Sequence, residues 1–173
     1  MNYLYKRIIA LFLCCFLLFS CNKQSPQLPS NKGNTADKNI VSLLIINQNL
    51  SKKEDRILEK YALQKDKAFK RSGIGFWYKI DQTGSKSRVK DSLVCKFSCK
   101  LMSLTGKMLE NEEKQIVIGK KQVVIGLEEG LKLMNKGDSA TIIIPWYLAY
   151  GMKGNEPLIQ PYTSIIYKIK IHN

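Results

Sequence analysis

The sequence has very few of the side chains that build catalytic centres. It contains 173 residues and a single histidine, His172, close to its end. A single histidine cannot form a histidine-based metal site, and one so close to the last residue is not expected to be held in a Ser-His-Asp triad. The central stretch, residues 119–151, also has no glycine-rich phosphate loop and no serine elbow. We therefore expect no metal and no cofactor, and a function that needs neither.

A disulfide framework is not expected either. Of the five cysteines, Cys14 and Cys15 lie in a predicted signal peptide and Cys21 directly follows it. The other two, Cys95 and Cys99, are four residues apart on a predicted strand, which separates them by about 13 Å. A disulfide needs Cα atoms within about 7 Å. Cys95 and Cys99 are therefore predicted to be small core side chains.

The N-terminus predicts export followed by lipid attachment. Residues 1–20 have the form of a signal peptide, in which Lys6 and Arg7 precede the apolar run Ile8–Phe19. The run ends in Leu-Phe-Ser-Cys at Cys21, which is similar to the bacterial lipobox, where the cysteine is lipidated. The alternative is a plain N-terminal anchor helix with an incidental cysteine.

Export sets the expected location and partners. The polar residues 21–39 are predicted to be a flexible tether behind the lipidated Cys21. We expect a lipid-anchored protein of the cell envelope that faces the periplasm or the cell surface, with the lipid membrane as a partner through Cys21. The net charge of +14 usually suggests nucleic acid. Export argues against it, so no nucleic-acid partner is expected.

Residues 40–72 are predicted to form a helical N-terminal extension. Ser51 and Glu54 have the spacing of a capping box, with Ser51 as the N-cap. The helix that follows is predicted to run to about Phe69. The short apolar run Ile40–Ile46 fits a strand as well as a helix.

Residues 73–173 are predicted to be the main domain. Apolar and polar residues alternate most regularly in Leu93–Leu101 and Ser164–Ile171, as in half-buried antiparallel strands. A short helix is predicted over Leu127–Met134, and Glu110–Lys114 is interpreted as a charged loop. The other predicted strands are Gly73–Ile80, Gln115–Ile118 and Ser139–Ile144. The pattern predicts an α+β fold, an antiparallel half-barrel sheet of five to six strands wrapped around one short helix and preceded by an N-terminal helix.

The segment Val94–Ile171 resembles the FKBP family of peptidyl-prolyl cis-trans isomerases. The strings that carry the resemblance are Ile118-Gly-Lys-Lys-Gln-Val-Val-Ile-Gly-Leu-Glu-Glu-Gly130, Ile144-Pro-Trp-Tyr-Leu-Ala-Tyr-Gly151 and Leu158-Ile-Gln-Pro161. The N-terminal part is similar to the gliding-motility-associated lipoprotein members of that family. The resemblance implies a membrane-anchored isomerase that assists the folding of exported or cell-envelope proteins and is linked to gliding motility. Its substrates would be proline-containing polypeptides, and its oligomeric state is left open.

The resemblance also implies the residues of the site. Those at the family's catalytic positions are Tyr150, Val124, Leu127 and Tyr167. Those at its substrate-binding positions are Phe97, Leu109, Glu110, Val123, Leu158 and Ile159. The Tyr150 hydroxyl is implied to donate to the bound peptide, the Val124 amide to hold a substrate carbonyl, and Leu127 to form the pocket floor. Tyr150 also follows Pro145 in a loop, where an aromatic side chain has little packing reason to be.

Three departures from the family pattern support an alternative function. Leu127 stands where the family usually has Trp, Phe97 where it has Tyr, and Glu110 where it has Asp. A shift of two residues along the strand would place Cys99 instead of Phe97 at the Tyr position. These changes favour a non-catalytic FKBP-like chaperone or scaffold subunit of an envelope motility or secretion apparatus. The retained Tyr150 and the intact Val123-Val124 pair favour the isomerase.

Overall fold

The computed structural model describes residues 35–85 and 87–172 of the chain. The predicted signal peptide, Cys21 and the tether as far as residue 34 lie outside the described residues. The chain divides into two compact units, Met1–Leu43 and Leu44–Asn173, and the packing described below is that of the second. No helix in the described part of the chain is long and apolar enough to span a bilayer.

The first helix, α1, spans Thr35–Lys65. It begins inside the segment predicted as a tether and includes the run Ile40–Ile46, which is therefore helical. It ends at Lys65, before the predicted end at Phe69. The Asp66 carboxylate accepts a hydrogen bond from the Ala68 amide at 2.9 Å, which closes the turn after the helix.

The predicted capping box at Ser51 and Glu54 was wrong. Ser51 lies inside α1, and its hydroxyl donates to the Asn47 carbonyl one turn earlier, at 3.0 Å. The helix has already begun at Thr35, so Ser51 has no free helix end to cap. The Glu54 carboxylate instead accepts a hydrogen bond from the hydroxyl of Ser164, far along the chain.

A six-stranded sheet forms the body of the second unit. Its strands are β1 (Lys70–Arg71), β2 (Trp77–Gln82), β3 (Val94–Ser103), β4 (Met108–Val117), β5 (Ser139–Ile144) and β6 (Ile165–Ile171). They lie in the order β1-β2-β5-β6-β3-β4, and every neighbouring pair is antiparallel. The predicted α+β class with an antiparallel sheet, one short helix and a preceding helix is confirmed.

The predicted charged loop Glu110–Lys114 was wrong, because these residues belong to β4. Glu110 pairs with Leu101 and Lys114 with Phe97, so the ladder to β3 runs through the whole charged segment. β4 is the last strand in the sheet order. Charged side chains are common on such an edge strand, where they discourage pairing with a further strand.

The second helix, α2 (Ile125–Lys132), packs on one face of the sheet, which we call the inner face. Two glycines let it approach closely, since a Cβ atom on Gly126 would lie 2.4 Å from Ile144, and one on Gly130 would lie 2.4 Å from Ile142. The core between α2 and the inner face includes Phe97, Cys99, Leu101, Leu127, Leu131, Ile142, Ile144, Tyr167 and Ile169. Cys95 and Cys99 are both buried and unpaired, as predicted.

The outer face of the same sheet carries a second apolar cluster under α1. Across the strands, Trp77 lies opposite Ile143, Ile143 opposite Ile166, and Ile166 opposite Met102. Leu58 and Ala62 of α1 are fully buried against this row. The sheet is therefore covered on both faces, by α2 on the inner face and by part of α1 on the outer face.

Candidate functional site

The turn between β4 and α2 presents the predicted pair Val123 and Val124, both half-buried. Val124 is the N-cap of α2 and is extended, with φ −60° and ψ 146°. Its carbonyl accepts hydrogen bonds from the amides of Leu127 at 3.0 Å and Glu128 at 3.1 Å. Its own N–H has no acceptor among the described residues. This amide is free to bind a ligand carbonyl, as the family resemblance implies.

A buried carboxylate fixes the shape of this turn. Glu128 is only 6% exposed, and its Oε1 accepts hydrogen bonds from the amides of Gly119 at 2.8 Å and Lys121 at 3.2 Å. Gly119 has φ +87°, a left-handed conformation that favours glycine. Glu128 thereby holds the residues before Val123 in place.

The loop after β5 carries the other half of the site. Pro145 ends the strand, and a short 3₁₀ turn, Trp146–Leu148, leads to Tyr150. The Trp146 amide donates to the Ser164 hydroxyl at 2.9 Å, and that hydroxyl donates to the Glu54 carboxylate of α1 at 2.5 Å. The loop is thus bonded to the N-terminal helix.

A second contact joins α1 to the same loop. The hydroxyl of Tyr147 donates to the carboxylate of Asp55, whose other oxygen binds the Arg71 guanidinium at 3.2 Å. Burial, followed by the hydrogen bond to Asp55, raises the pKa of Tyr147 above its ordinary value, so the phenol stays protonated and donates. Two adjacent residues of α1, Glu54 and Asp55, therefore hold the segment that leads to Tyr150.

Tyr150 and Tyr167 meet through their hydroxyl groups, whose oxygens are 3.4 Å apart. Tyr167 is 1% exposed, while Tyr150 is half-buried. Burial, and then the contact with Tyr150, raises the pKa of Tyr167 far above that of a free tyrosine. Tyr167 is therefore a neutral phenol that can donate a hydrogen bond and contributes no negative charge.

A cavity of about 310 Å³ opens between the two segments. Val123, Val124, Tyr150 and Tyr167, four of the predicted site residues, line it together with Lys114, Lys121 and Gln122. Its volume is at the lower end of the range for ligand pockets, about 300–1,000 Å³. Sequence reasoning missed the three polar residues. Lys114 was missed because its strand was taken for a loop, whereas Lys121 and Gln122 directly precede the predicted valine pair.

The remaining predicted residues do not line this cavity. Phe97, Leu127 and Ile159 are at most 1% exposed and form the core behind Tyr167, and half-buried Leu109 packs against that core. Leu158 is 39% exposed. Cys99, two residues from Phe97 on β3, is buried on the same inner face.

Glu110 lies beside the cavity in a small charged group on β4. Glu110 and Glu112 are neighbours on the inner side of the strand, and Lys114 forms an ion pair with Glu112. Burial, and then the hydrogen bond and the charge of Glu112, raises the pKa of Glu110. Burial lowers the pKa of Lys114, but the hydrogen bond to Glu112 and the carboxylates raise it overall, so the ammonium is retained at the rim.

The chemistry that this arrangement offers is binding and polarisation. The cavity has apolar side chains, an unpaired backbone amide, two phenol hydroxyls and cations at the rim. Among its lining residues there is no serine, cysteine or histidine. An open antiparallel sheet around a short helix, with such a cavity between the helix start and the loop after β5, places the chain among the FKBP-like α+β proteins.

The chain belongs to the FKBP-type peptidyl-prolyl cis-trans isomerase family, whose family model matches residues 84–172. It is 30% identical over 116 residues to the FKBP-type peptidyl-prolyl cis-trans isomerase FkpA of Escherichia coli strain K12. That match covers 65% of this chain and 42% of the relative, so the chain spans less than half of the length of FkpA. It is 28% identical over 101 residues to the human peptidyl-prolyl cis-trans isomerase FKBP2, with 57% and 71% of the two chains covered.

Solved structures agree on the fold. A peptidyl-prolyl cis-trans isomerase from Pseudomonas syringae pv. tomato superposes with a TM-score of 0.61 at 21% identity, over 71% of this chain and 92% of that one. The N-terminal domain of FKBP42 from Arabidopsis thaliana gives a TM-score of 0.52 at 24% identity, over 56% and 83%. At this level of identity, the likeness concerns the fold alone.

Proposed function

We propose that this chain catalyses the cis–trans isomerisation of prolyl peptide bonds in exported or cell-envelope polypeptides, held at a membrane by lipid on Cys21. The observation that carries the proposal is the cavity between Val123-Val124 and Tyr150-Tyr167 in a chain of the FKBP-type family. The lipobox-like end of the signal sequence supports the anchor and a cell-envelope location. The proposed link to gliding motility is supported by the resemblance of the N-terminal part.

The reaction suits a site without a nucleophile. Rotation about a peptide bond breaks amide resonance, with a barrier of about 18–20 kcal/mol, and the uncatalysed step takes tens of seconds or more. The twisted amide is less polar than the planar amide, so an apolar cavity binds it better, which lowers the barrier. Val123, Val124 and the Tyr167 ring supply the apolar contacts. The Val124 amide and the Tyr150 hydroxyl would hold the flanking carbonyl groups.

A second candidate function is a non-catalytic binding module of an envelope apparatus. Leu127 and Phe97, which replace the family's Trp and Tyr, are fully buried and offer the cavity no polar group. Leu158, implied to cover the pocket, is exposed to solvent. A weakly enclosed cavity of this kind would bind a polypeptide without accelerating its isomerisation.

The deciding experiment measures prolyl isomerisation with peptides that differ in the residue before proline. Tyr150→Phe removes one hydroxyl donor and should lower kcat/KM about fivefold, the equivalent of one hydrogen bond. Val124→Lys places a charge on the rim and should lower kcat/KM more than tenfold. Ile125→Lys is the matched control, because Ile125 is the adjacent residue and is 55% exposed.

The control should keep the activity of the unmodified chain. Circular dichroism should show that all three variants are folded. If the folded, unmodified chain accelerates no peptide, the isomerase proposal fails and the binding module stands. Anchoring is tested separately by Cys21→Ala, which should move the chain from the membrane fraction to the soluble fraction. Retention in the membrane would refute the lipid anchor and favour a plain anchor helix.

A further inference from the structure

Beyond the apolar row under α1, the outer face of the sheet is charged and exposed to solvent. The outward-facing residues of β3 and β6 are there mostly lysines, and all four of these lysines are exposed. We name this surface the lysine face; it consists of Lys96, Lys100, Lys168 and Lys170. Their neighbours on the strands, Phe97, Cys99, Tyr167 and Ile169, point the opposite way into the core.

The register of the strands brings these charges together. Lys100 lies directly opposite Lys168, and Lys170 lies opposite Ser98, so lysines follow one another across the strand pair. Side chains that face each other across antiparallel strands are about 4.5–5.5 Å apart at Cβ, and like charges in this position are destabilising. A surface that keeps such a pair is suited to an external anion.

The protein itself compensates these charges very little. Among residues 35–85 and 87–172, none of the four lysines forms an ion pair, and the Lys170 ammonium donates only to the Gly137 carbonyl, at 2.8 Å. Carboxylates beside the face are Glu113, 3.4 Å from the Ser98 hydroxyl, and Asp81, which accepts a hydrogen bond at 2.7 Å from the Thr141 hydroxyl opposite Lys168. Neither of them is within ion-pair distance of the four lysines. Lys79, further along the same face, is by contrast paired with Asp66 and Asp81.

We propose that the lysine face binds the anionic headgroups of a phospholipid membrane. Apart from Glu113, the residues between its lysines are small or uncharged polar groups that leave the ammonium groups accessible, namely Ser98, Asn111, Gln115, Ser139 and Thr141. The aromatic side chains beside this face are engaged with the protein: His172 is bonded to Ser98 at 2.8 Å, and Phe69, which lines a pocket with Lys168, is buried. They do not form a row of free rings on which successive nucleic-acid bases could stack, and no helix of this face could enter a groove. A broad sheet face with ammonium groups fits a planar array of phosphates.

Binding to lipid through the lysine face would also set the direction in which the cavity faces. This step, unlike the lipid binding itself, rests on the proposed isomerase function. The lysines and the cavity residue Tyr167 alternate along β6, so they lie on opposite faces of the sheet. A domain bound to lipid through the lysine face therefore turns its cavity away from the membrane. Polypeptides would reach the cavity without competing with the lipid.

The test uses the full chain reconstituted in vesicles and labelled with an amine-reactive reagent, with mass spectrometry to read each lysine. Vesicles are made of phosphatidylcholine alone or with about 30% phosphatidylglycerol, which supplies the negative surface. The proposed lipid anchor would hold the chain to both kinds of vesicle, so a difference in labelling between them reports the response of the lysine face to lipid charge. Lys120 and Lys153, exposed lysines elsewhere on the domain, are the internal controls.

We expect labelling of the four lysines to slow at least fivefold on the anionic vesicles, since each basic residue near such a surface contributes about fivefold in affinity. Labelling of Lys120 and Lys153 should not change. Salt at about 0.5 M should abolish the protection. In the double variant Lys100→Glu and Lys168→Glu, Lys96 and Lys170 should lose it even at low salt.

Equal labelling on neutral and anionic vesicles, or protection that survives the double variant, would overturn the proposal. Stronger protection by a single-stranded oligonucleotide than by the anionic vesicles, at the same salt, would overturn it in favour of nucleic acid. Isomerase activity is measured on the same vesicles. Loss of lipid protection with activity present refutes the lysine face alone, whereas absent activity with protection present refutes only the proposed enzyme.

Discussion

The contacts between α1 and the loop that carries Tyr150 lead to a sharp prediction. Ser164→Ala removes the hydroxyl that accepts from the Trp146 amide and donates to Glu54. Tyr147→Phe removes the hydroxyl that donates to Asp55. Both substitutions keep the size of the side chain nearly unchanged, so their effects report the hydrogen bonds.

The structure sets the size of each effect. Trp146 and Ser164 are 6% and 4% exposed, so Ser164→Ala leaves a buried N–H without an acceptor, at about 1–3 kcal/mol, and Glu54 without a donor. We expect a total loss of about 2–4 kcal/mol in the free energy of unfolding. Tyr147→Phe should cost about 1–2 kcal/mol, because Arg71 still compensates Asp55, whose side chain is 32% exposed.

Urea unfolding and prolyl-isomerisation kinetics test both effects on the same preparations. A loop that is no longer held to α1 misplaces the Tyr150 hydroxyl, so kcat/KM should fall about tenfold in Ser164→Ala while the protein remains folded. Asp66→Asn is the matched control. It breaks the exposed ion pair between Lys79 and Asp66, the residue that directly follows α1, away from the loop, and should change the unfolding free energy by less than about 1 kcal/mol.

Two results would refute this reasoning. If Ser164→Ala unfolds at the same urea concentration as the unmodified chain, the buried hydrogen bonds contribute no net stability. If it loses stability but keeps kcat/KM, α1 supports the fold without positioning Tyr150. A fall in kcat/KM of equal size in Asp66→Asn would show that any loosening of α1 impairs the site.

Three further predictions concern urea unfolding. Glu128→Ala leaves two backbone amides without their acceptor and should cost about 2–4 kcal/mol, whereas Glu128→Gln, which keeps a carbonyl oxygen, should recover at least half of the loss. Gly126→Ala places a Cβ 2.4 Å from Ile144 and should cost about 1–3 kcal/mol, whereas Gly73→Ala, with open space around it, should be close to neutral. Burial raises the pKa of Cys99 from 9.0 to about 11, so the thiol of the folded protein stays protonated at a pH where that of the unfolded chain ionises. The contribution of Cys99 to the free energy of unfolding is therefore fully present below pH 9 and is lost as the pH rises towards 11. The loss should reach about 3 kcal/mol relative to Cys99→Ala.

Each of these three predictions would be contradicted by a specific result. Equal unfolding for Glu128→Ala and Glu128→Gln would mean that the carbonyl oxygen does not hold the turn. No loss in Gly126→Ala would mean that α2 can move away from the sheet at little cost. Parallel alkaline profiles for the unmodified chain and Cys99→Ala would mean that the thiol ionises in the folded protein as readily as in the unfolded chain.

The parts of the fold that the sequence predicted are those in which burial alternates simply. In β3, Cys95, Phe97, Cys99 and Leu101 are buried and the lysines between them are exposed, so the period of two is visible. β6 has the same pattern. The helix α2 was predicted within a few residues, because its apolar side chains recur at helical spacing and glycines flank it.

The missed elements had misleading local patterns. β4 has charged residues on both faces, since its outer face meets solvent and its inner face borders the cavity, so no apolar period marks it. In α1, Ser51 and Glu54 matched a capping box, yet Glu54 bonds to Ser164 across the fold. Such a tertiary contact leaves no trace in the neighbouring residues.

The sequence predicted only part of the candidate site, because tertiary contacts that support the site are again not visible in the local sequence. The resemblance named Val123, Val124, Tyr150 and Tyr167, which line the cavity. It could not supply the contacts of Asp55 with the Tyr147 hydroxyl, because α1 lies outside the matched residues 84–172. The support of the site therefore comes from a part of the chain that the family pattern does not describe.

The docking of α1 on the far side of the sheet has a consequence for how the chain folds. Glu54 and Ser164 are separated by 110 residues. The apolar cluster that buries Leu58 includes Ile143 of β5 and Ile166 of β6. Closing so long a loop is slow, because its entropy is lost before the contacts form. In a chain that emerges N-terminus first, α1 can therefore complete its docking only after β5 and β6 have emerged. Until then its apolar side is open to chaperones and to the membrane, and the Tyr150 loop lacks its support, so the candidate site matures only after the whole domain has emerged.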